Sequence, residues 1–206
     1  MTHDIVDQIA GVTPELDALR RRRPVTREQL QASFDALFQP VSVEHVSQQE
    51  RELIAAFATS LAGSTDETAA FYADRARRAD PVRAGVVLSE AAAAATSGPF
   101  GSYTELGLQD ENTEGERYAP SDAVTAALGE RLAAALAHTH LLVLRPREAS
   151  GADLGHLLDA GWSADGIVTL SQLVSFLAFQ QRVVTGLRVL AATGIAAGID
   201  AEEEAA

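Results

Sequence analysis

The residues able to do chemistry are few, and their types narrow the choice further. The 206-residue chain has no cysteine and no lysine, so all 16 basic residues are Arg. Thiol nucleophiles, disulfides, thiolate metal sites and lysine Schiff bases are thereby removed together. What remains falls into four groups. Glu52 sits in the apolar run Glu52-Leu53-Ile54. Asp66 and Glu67 follow a Gly63-Ser64-Thr65 break. His138 and His140 lie two residues apart. Arg182 stands beside Gln180 and Gln181 in an otherwise apolar stretch.

Each group supports two kinds of role. On a helix Glu52 lies ~100° from Leu53, at the edge of the buried face. It is either a first-turn acid favoured by the helix dipole and paired with an Arg, or a partly buried general base at a pocket mouth. Asp66 and Glu67 read as first-turn acids of the next helix; with Glu52 nearby, the three could also gather a cation. His138 and His140 point ~200° apart on a helix and cannot chelate one ion. Only a strand over 138–144 would align them, and the long Ala/Leu pattern upstream favours helix. His140 falls on an apolar stripe, as a core histidine or as an acid–base group. Arg182 needs a partner, either a carboxylate such as Glu52 or a substrate's acid group. Tyr72, inward-facing, and Gln181 could line the same cavity. His45 and His156 have no visible partners. No metal site and no cofactor are expected.

The elements that must position these groups are helices. Leu53, Phe57 and Leu61 at i, i+4 and i+8 define a buried edge, and Ser47 with Glu50 forms a capping box that starts that helix. Gly63 closes it, and a second helix runs from Asp66 to Arg78 with Phe71 and Tyr72 inward and the arginines of 75–78 outward. Asp80-Pro81 opens another helix that leads into the Ala91–Ala95 run. Ser121-Asp122 starts a stripe of Val124, Leu128, Leu132, Leu136 and His140 that continues unbroken to about Leu144. Ser150 and Asp153 cap a short helix, and Ser163 opens the longest, roughly 164 to 192. That helix is apolar nearly all round and belongs in the middle of a bundle, its glutamines and Arg182 leaving too short an apolar run for a membrane span. Upstream, Pro14 and Pro24 punctuate small helices, with a capping box at Thr26-Arg27-Glu28-Gln29 and a stripe of Leu30, Phe34, Leu37 and Phe38. Residues 97–120 carry Gly98, Pro99, Gly101, Gly107, Gly115 and Pro120 with Phe100, Tyr103 and Tyr118. A loop of that length is a lid, a subunit contact or a surface excursion.

Charge sets the partners. A net charge of −13 argues against nucleic acid and anionic membranes, both of which need a basic surface. The run Arg20–Arg23 is the local exception, read as a solvated helix end or an anion site. No apolar leader follows the N-terminal Thr2-His3-Asp4, so the expected location is cytoplasmic. The acidic end Asp200–Glu204 reads as a frayed tail.

Residues 50–71, ERELIAAFATSLAGSTDETAAF, resemble the signature of the carboxymuconolactone decarboxylase and alkylhydroperoxidase D superfamily. There a helix beginning Glu-Leu-Ile leads into Cys-x-x-Cys, with a His four residues on. Residues 157–187 are similar to the closing segment of its peroxidase-related branch, with Gly161, Ser163, Phe179, Gln181, Arg182, Gly186 and Leu187 in the matching places. The resemblance covers about residues 25 to 192 and extends to a cysteine-free subgroup known as CMD domain proteins. It places the family's proton-relay Glu on Glu52, the two cysteines on Ser64 and Glu67, the intervening His on Asp66 and the distal His on Phe71. Only the Glu is kept. A serine hydroxyl has no sulfenic acid or disulfide to cycle through, so the thiol peroxidase route is closed.

The expectation is therefore an all-α, alkylhydroperoxidase D-like bundle of two helical halves in one domain. Residues 1–46 form a helical arm docked on the core or on a neighbouring subunit, 47–192 the domain, and 193–206 the tail. The resemblance implies a homo-oligomer, from dimer to hexamer. Function then divides between two readings. In one, a small organic molecule is bound or transformed without a thiol, Glu52 and His140 serving as acid–base groups and Tyr72, Gln181 and Arg182 as contacts. In the other, the chain is an oligomeric scaffold or accessory subunit that has lost its site. A peroxidase role would then be one of family membership only.

Overall fold

The helix starts follow from their caps. In the computed structural model, which describes residues 4–61 and 67–194, side-chain oxygens of Asp4, Thr13, Asp80, Ser121 and Ser163 accept from the first free backbone N–H groups of their helices. Ser47–Glu50 and Ser150–Asp153 form full capping boxes. Each satisfies donors that a helix cannot satisfy internally. The helices in order are α1 (Ile5–Ala10), α2 (Pro14–Arg21), α3 (Pro24–Phe38), α4 (Gln48–Ser60), α5 (Glu67–Ala79), α6 (Pro81–Ala94), α7 (Asp122–Leu128), α8 (Glu130–Leu144), α9 (Gly151–Asp159) and α10 (Ala164–Thr193). No strand occurs among the described residues, only an isolated bridge between Gly101 and Thr113. The fold is all-α, and 138–144 is helix.

The centre is α4, buried on nearly every side, with Leu53, Ile54, Ala55, Ala56 and Phe57 all at 1% exposure or less. It packs against α5, α6, α8 and α10. The alanines bring these backbones close together. By length and composition α10 is the one helix among the described residues able to cross a membrane. Its inner side is nevertheless taken up by α1, α4 and α8, through Leu170, Leu173, Val174, Leu177 and Val184, as befits a core helix. The N-terminal arm docks on its own core, because Ile5, Val6, Ile9, Leu30, Phe34 and Phe38 belong to the same hydrophobic cluster as α4 and α10.

Three expectations about the elements are corrected. Pro24, not Thr26, begins α3, and no side chain caps it. Proline suits the first helical position because its missing N–H would be unpaired there anyway. The stripe from Val124 to His140 is cut at Gly129, whose φ of +84° and ψ of 151° lie outside any helix. That conformation favours glycine and turns α8 away from α7. Arg131 then fixes the new direction, bonding the Glu50 carboxylate and the carbonyls of His45 and Gly161 while lying over the Trp162 ring. Third, Arg20 is not a solvated helix end. It is buried and bonds both oxygens of Asp4, and with Asp7, Asp17 and Arg27 it forms one ion network that ties α1, α2 and α3 together. Gly63 and the acidic end 200–204 lie outside the described residues.

Candidate functional site

Glu52 is where the family resemblance places the chemistry, and it is closed. Its carboxylate, 4% exposed, takes both nitrogens of a bidentate Arg75 at 2.8 and 2.5 Å, and Gln48 donates a third bond at 2.7 Å. The Arg75 guanidinium lies over the rings of Phe34, Phe38 and Phe71 at 5.1 to 5.6 Å. Arg75 therefore turns inward, not outward with Arg77 and Arg78, and it is the partner of Glu52 in place of Arg182. A paired acid ringed by aromatics has neither a free lone pair aimed at a cavity nor room for a substrate.

The other expected contacts are also committed elsewhere. Tyr72 is fully buried and donates to Gln180 Oε1 at 2.6 Å; burial pushes its phenol well above the ordinary range. Gln181 donates to the Thr59 carbonyl. Arg182 is exposed and bonds the Ala178 carbonyl one turn back on its own helix. Glu67 pairs with Arg188 of α10 at 2.6 Å, so it does not join Glu52 in a cation site. Ser64 and Asp66 lie outside the described residues. Phe71 is half-buried, edge-on to Tyr72. Among the described residues no group of three His, Cys, Asp or Glu side chains is placed to hold a metal ion.

His45 does have partners, and they have the form of a triad. Its Nδ1 lies 3.1 Å from Ser163 Oγ and its Nε2 3.5 Å from Asp165. The resemblance to a nucleophilic site ends there. Ser163 Oγ already accepts from Gly166 as the cap of α10. His45 and Asp165 are 41% and 79% exposed, and a solvated carboxylate gives an imidazolium little support.

The cavity that combines burial with unpaired polar atoms lies elsewhere. It measures about 300 Å³ and lies between α8, α9 and the 117–119 segment of the long loop. α8 supplies Ala134, Ala137, His138 and Leu141, α9 supplies Asp153, His156 and Leu157, and Arg117, Tyr118 and Arg145 complete the wall. His138 is 5% exposed, and neither of its ring nitrogens has a hydrogen-bond partner. Burial lowers its pKa, with Asp153 opposing. Burial, with Arg145 adding to it, lowers that of His140. Both imidazoles are therefore neutral near pH 7, and a neutral imidazole presents one donor and one acceptor.

The long loop is built to lie where it does. Gly115 passes so close to the Phe100 ring that a Cβ there would come within 2.3 Å of it, so only glycine fits. Its carbonyl accepts from Arg145 Nη1 at 2.5 Å. Arg145 also bonds both oxygens of Glu148 at 2.8 Å, and Arg117 pairs with the same carboxylate. Tyr118 packs between Phe57 and His140 in tilted ring contacts, at 5.3 and 5.6 Å, and its hydroxyl donates to Glu90 on α6. Burial, and then the bond to Glu90, push its pKa up. The same loop also lines a second cavity of about 590 Å³, which shares Arg117, Tyr118, Ala119 and His140 with the first.

The structure therefore places His140 in a cavity but separates it from Glu52, which lines none of these cavities. The groups that sequence reasoning missed are Arg117, Tyr118, Arg145, Asp153 and His156. The available signal was the aromatic, glycine-rich loop directly ahead of a helix carrying two histidines. No protein-family model matches the chain, and no curated protein matches it.

Proposed function

We propose that this chain is a thiol-free relative of the carboxymuconolactone decarboxylase and alkylhydroperoxidase D superfamily, whose working site is the His138 cavity, where it takes up a small organic molecule. The observation that carries this reading is an open cavity lined by three histidines, His138, His140 and His156, the first of which keeps both ring nitrogens unpaired and closed off from water behind its wall. Buried polar groups are almost always paired, because an unpaired one costs about 1–3 kcal/mol. A small side-chain movement that opened this ring to the cavity would let a bound molecule satisfy it. The apolar walls of Ala134, Ala137, Leu141 and Leu157 would hold the rest of such a ligand. Acid–base work by His138 or His140 belongs to the same reading, since a neutral imidazole can accept a proton.

The test is a panel of small organic fragments of differing charge, added to protein carrying ¹⁵N-labelled histidine. At least one should bind saturably, shift the ring nitrogens of His138 and His140 but not those of His45, and fail to bind Ala137→Trp. A panel that leaves the His138 ring unmoved would sink the proposal.

The scaffold alternative has its own support. The acid inherited from the resemblance, Glu52, is sealed by Arg75 and Gln48, and Val168, Phe179 and Val189 leave apolar surface exposed along α10. An oligomer held through that face, with no ligand in the cavity, is the outcome that would favour it. Light scattering on a sizing column, run beside the fragment panel, separates the two.

A further inference from the structure

We infer that the larger cavity, of about 590 Å³, is a second binding site, and that it takes a small organic cation: a primary ammonium carried on an apolar body. The inference is independent of whether the His138 cavity holds a ligand.

The charge around this cavity is uncompensated. Glu114 and Glu116 stand on its wall, and neither carboxylate has a hydrogen-bond or ion-pair partner among the described residues. Among those residues Arg117 is the one cation on that wall, and its guanidinium is paired with Glu148. The 14-residue helix α6 ends on the same wall, at Ala93, Ala94 and Ala95. Among the described residues no backbone or side-chain donor reaches the carbonyls of Ala92, Ala93 or Ala94. The negative end of that helix is therefore left open there. The net charge of −13 adds a longer-range field of the same sign.

His140 supplies the anchor. It is 3% exposed, and it lines this cavity as well as the smaller one. Its ring meets Tyr118 in a tilted contact, which leaves both nitrogens unoccupied, and no hydrogen bond engages either. The sealed, unpaired atoms of the described residues include both ring nitrogens of His138 and neither of His140. The His140 nitrogens thus keep access to the space that the ring lines. Burial, and then Arg145, hold this imidazole neutral near pH 7, so it has one lone pair to accept an ammonium N–H. A ligand carboxylate finds no free cation here and would approach two groups of its own sign. A hydroxyl can use the lone pair but gains nothing from the charge.

The space is ample. An apolar cavity of about 150 Å³ holds benzene, so a ring and its ammonium fit within about 590 Å³, with the apolar body against Phe100, Ala119 and the alanines of α6.

Three compounds of one shape test this on the unmodified protein at pH 7.5: benzylamine, benzyl alcohol and benzoate, followed by calorimetric titration and by the ¹⁵N shifts of the histidine rings. A solvated carboxylate or a helix end each adds a few-fold, so we expect benzylamine to bind about tenfold more tightly than either companion. It should move the His140 nitrogens and leave those of His138 in place. Added salt should narrow the preference. Glu114→Gln combined with Glu116→Gln, at two exposed positions, should cut it to about threefold. Equal or tighter binding of benzyl alcohol or benzoate would overturn the inference. So would a preference that the double variant leaves whole, or one that moves His138 instead of His140. If benzylamine does not bind while the fragment panel yields a ligand that moves His138, this inference fails and the smaller cavity keeps its proposed role. If benzylamine binds as described and that panel leaves His138 unmoved, the reverse holds.

Discussion

Two buried polar centres, one at Glu52 on α4 and one at His138 on α8, are built on opposite principles. Around Glu52 both carboxylate oxygens are engaged: a bidentate arginine and a glutamine amide bond them, and three aromatic faces surround the guanidinium. Around His138 the charges are spent but the imidazole is not. A completed ion pair adds rigidity and leaves nothing for a ligand. An uncompleted imidazole costs stability and keeps its capacity for one. The centre that looks functional by its place in the sequence is thus closed by its own partners, and the centre without a motif is left with unspent hydrogen-bonding capacity.

The contrast breaks most readily at Glu52. Glu52→Ala leaves the Arg75 guanidinium against Phe34, Phe38 and Phe71 without its carboxylate, and removing one member of a buried pair is expected to cost about 3 kcal/mol. Urea unfolding should show this as a lower midpoint at unchanged slope, while fragment binding at the His138 cavity by the remaining folded protein stays as in the parent. A loss of binding with little loss of stability would reverse the two assignments.

Acid should expose the other centre. Burial holds His138 and His140 below the ordinary imidazole value of 6.5, so the unfolded chain takes up these protons first. Stability is then complete above about pH 6.5 and falls as the pH drops below it. The slope is up to about 1.4 kcal/mol per pH unit for each imidazole that stays neutral. Asp153, close enough to raise the His138 value, moderates this, and Arg145 beside His140 accentuates it. Thermal melts between pH 7.5 and 5.5, above the range where the paired carboxylates titrate, should show the decline. A flat profile over that window would mean that the imidazoles are not held neutral.

The smallest effect is the most pointed. His138→Leu removes two unpaired atoms and keeps apolar volume, so it should change stability by less than about 1 kcal/mol, or raise it, and should flatten part of the acid slope. A loss as large as that of Glu52→Ala would show that His138 is a structural hub.

What was legible in the sequence follows from the range of the forces involved. Caps are local, so Ser47–Glu50, Ser150–Asp153, Asp80 and Ser163 could be read directly and set the helix starts. The all-α fold and the buried face of α4 follow from periodicity, which is also local. The bend at Gly129 was less visible because one glycine in a long Ala/Leu pattern costs a helix little, and the clamp that exploits it comes from Glu50, His45 and Gly161. Arg75 and Arg182 were exchanged as partners of Glu52 because helical spacing gives a direction but not which neighbour lies there. The cavity was least legible of all. It is assembled from residues 117–119, 134–145 and 153–157, and no spacing within one element announces it.

The loop segment through Tyr118 is common to both chambers: Arg117, Tyr118, Ala119 and His140 line the smaller and the larger alike. An occupant of one that displaced these side chains would reshape the other. Two occupants coupled in this way would change each other's binding by equal factors without ever touching.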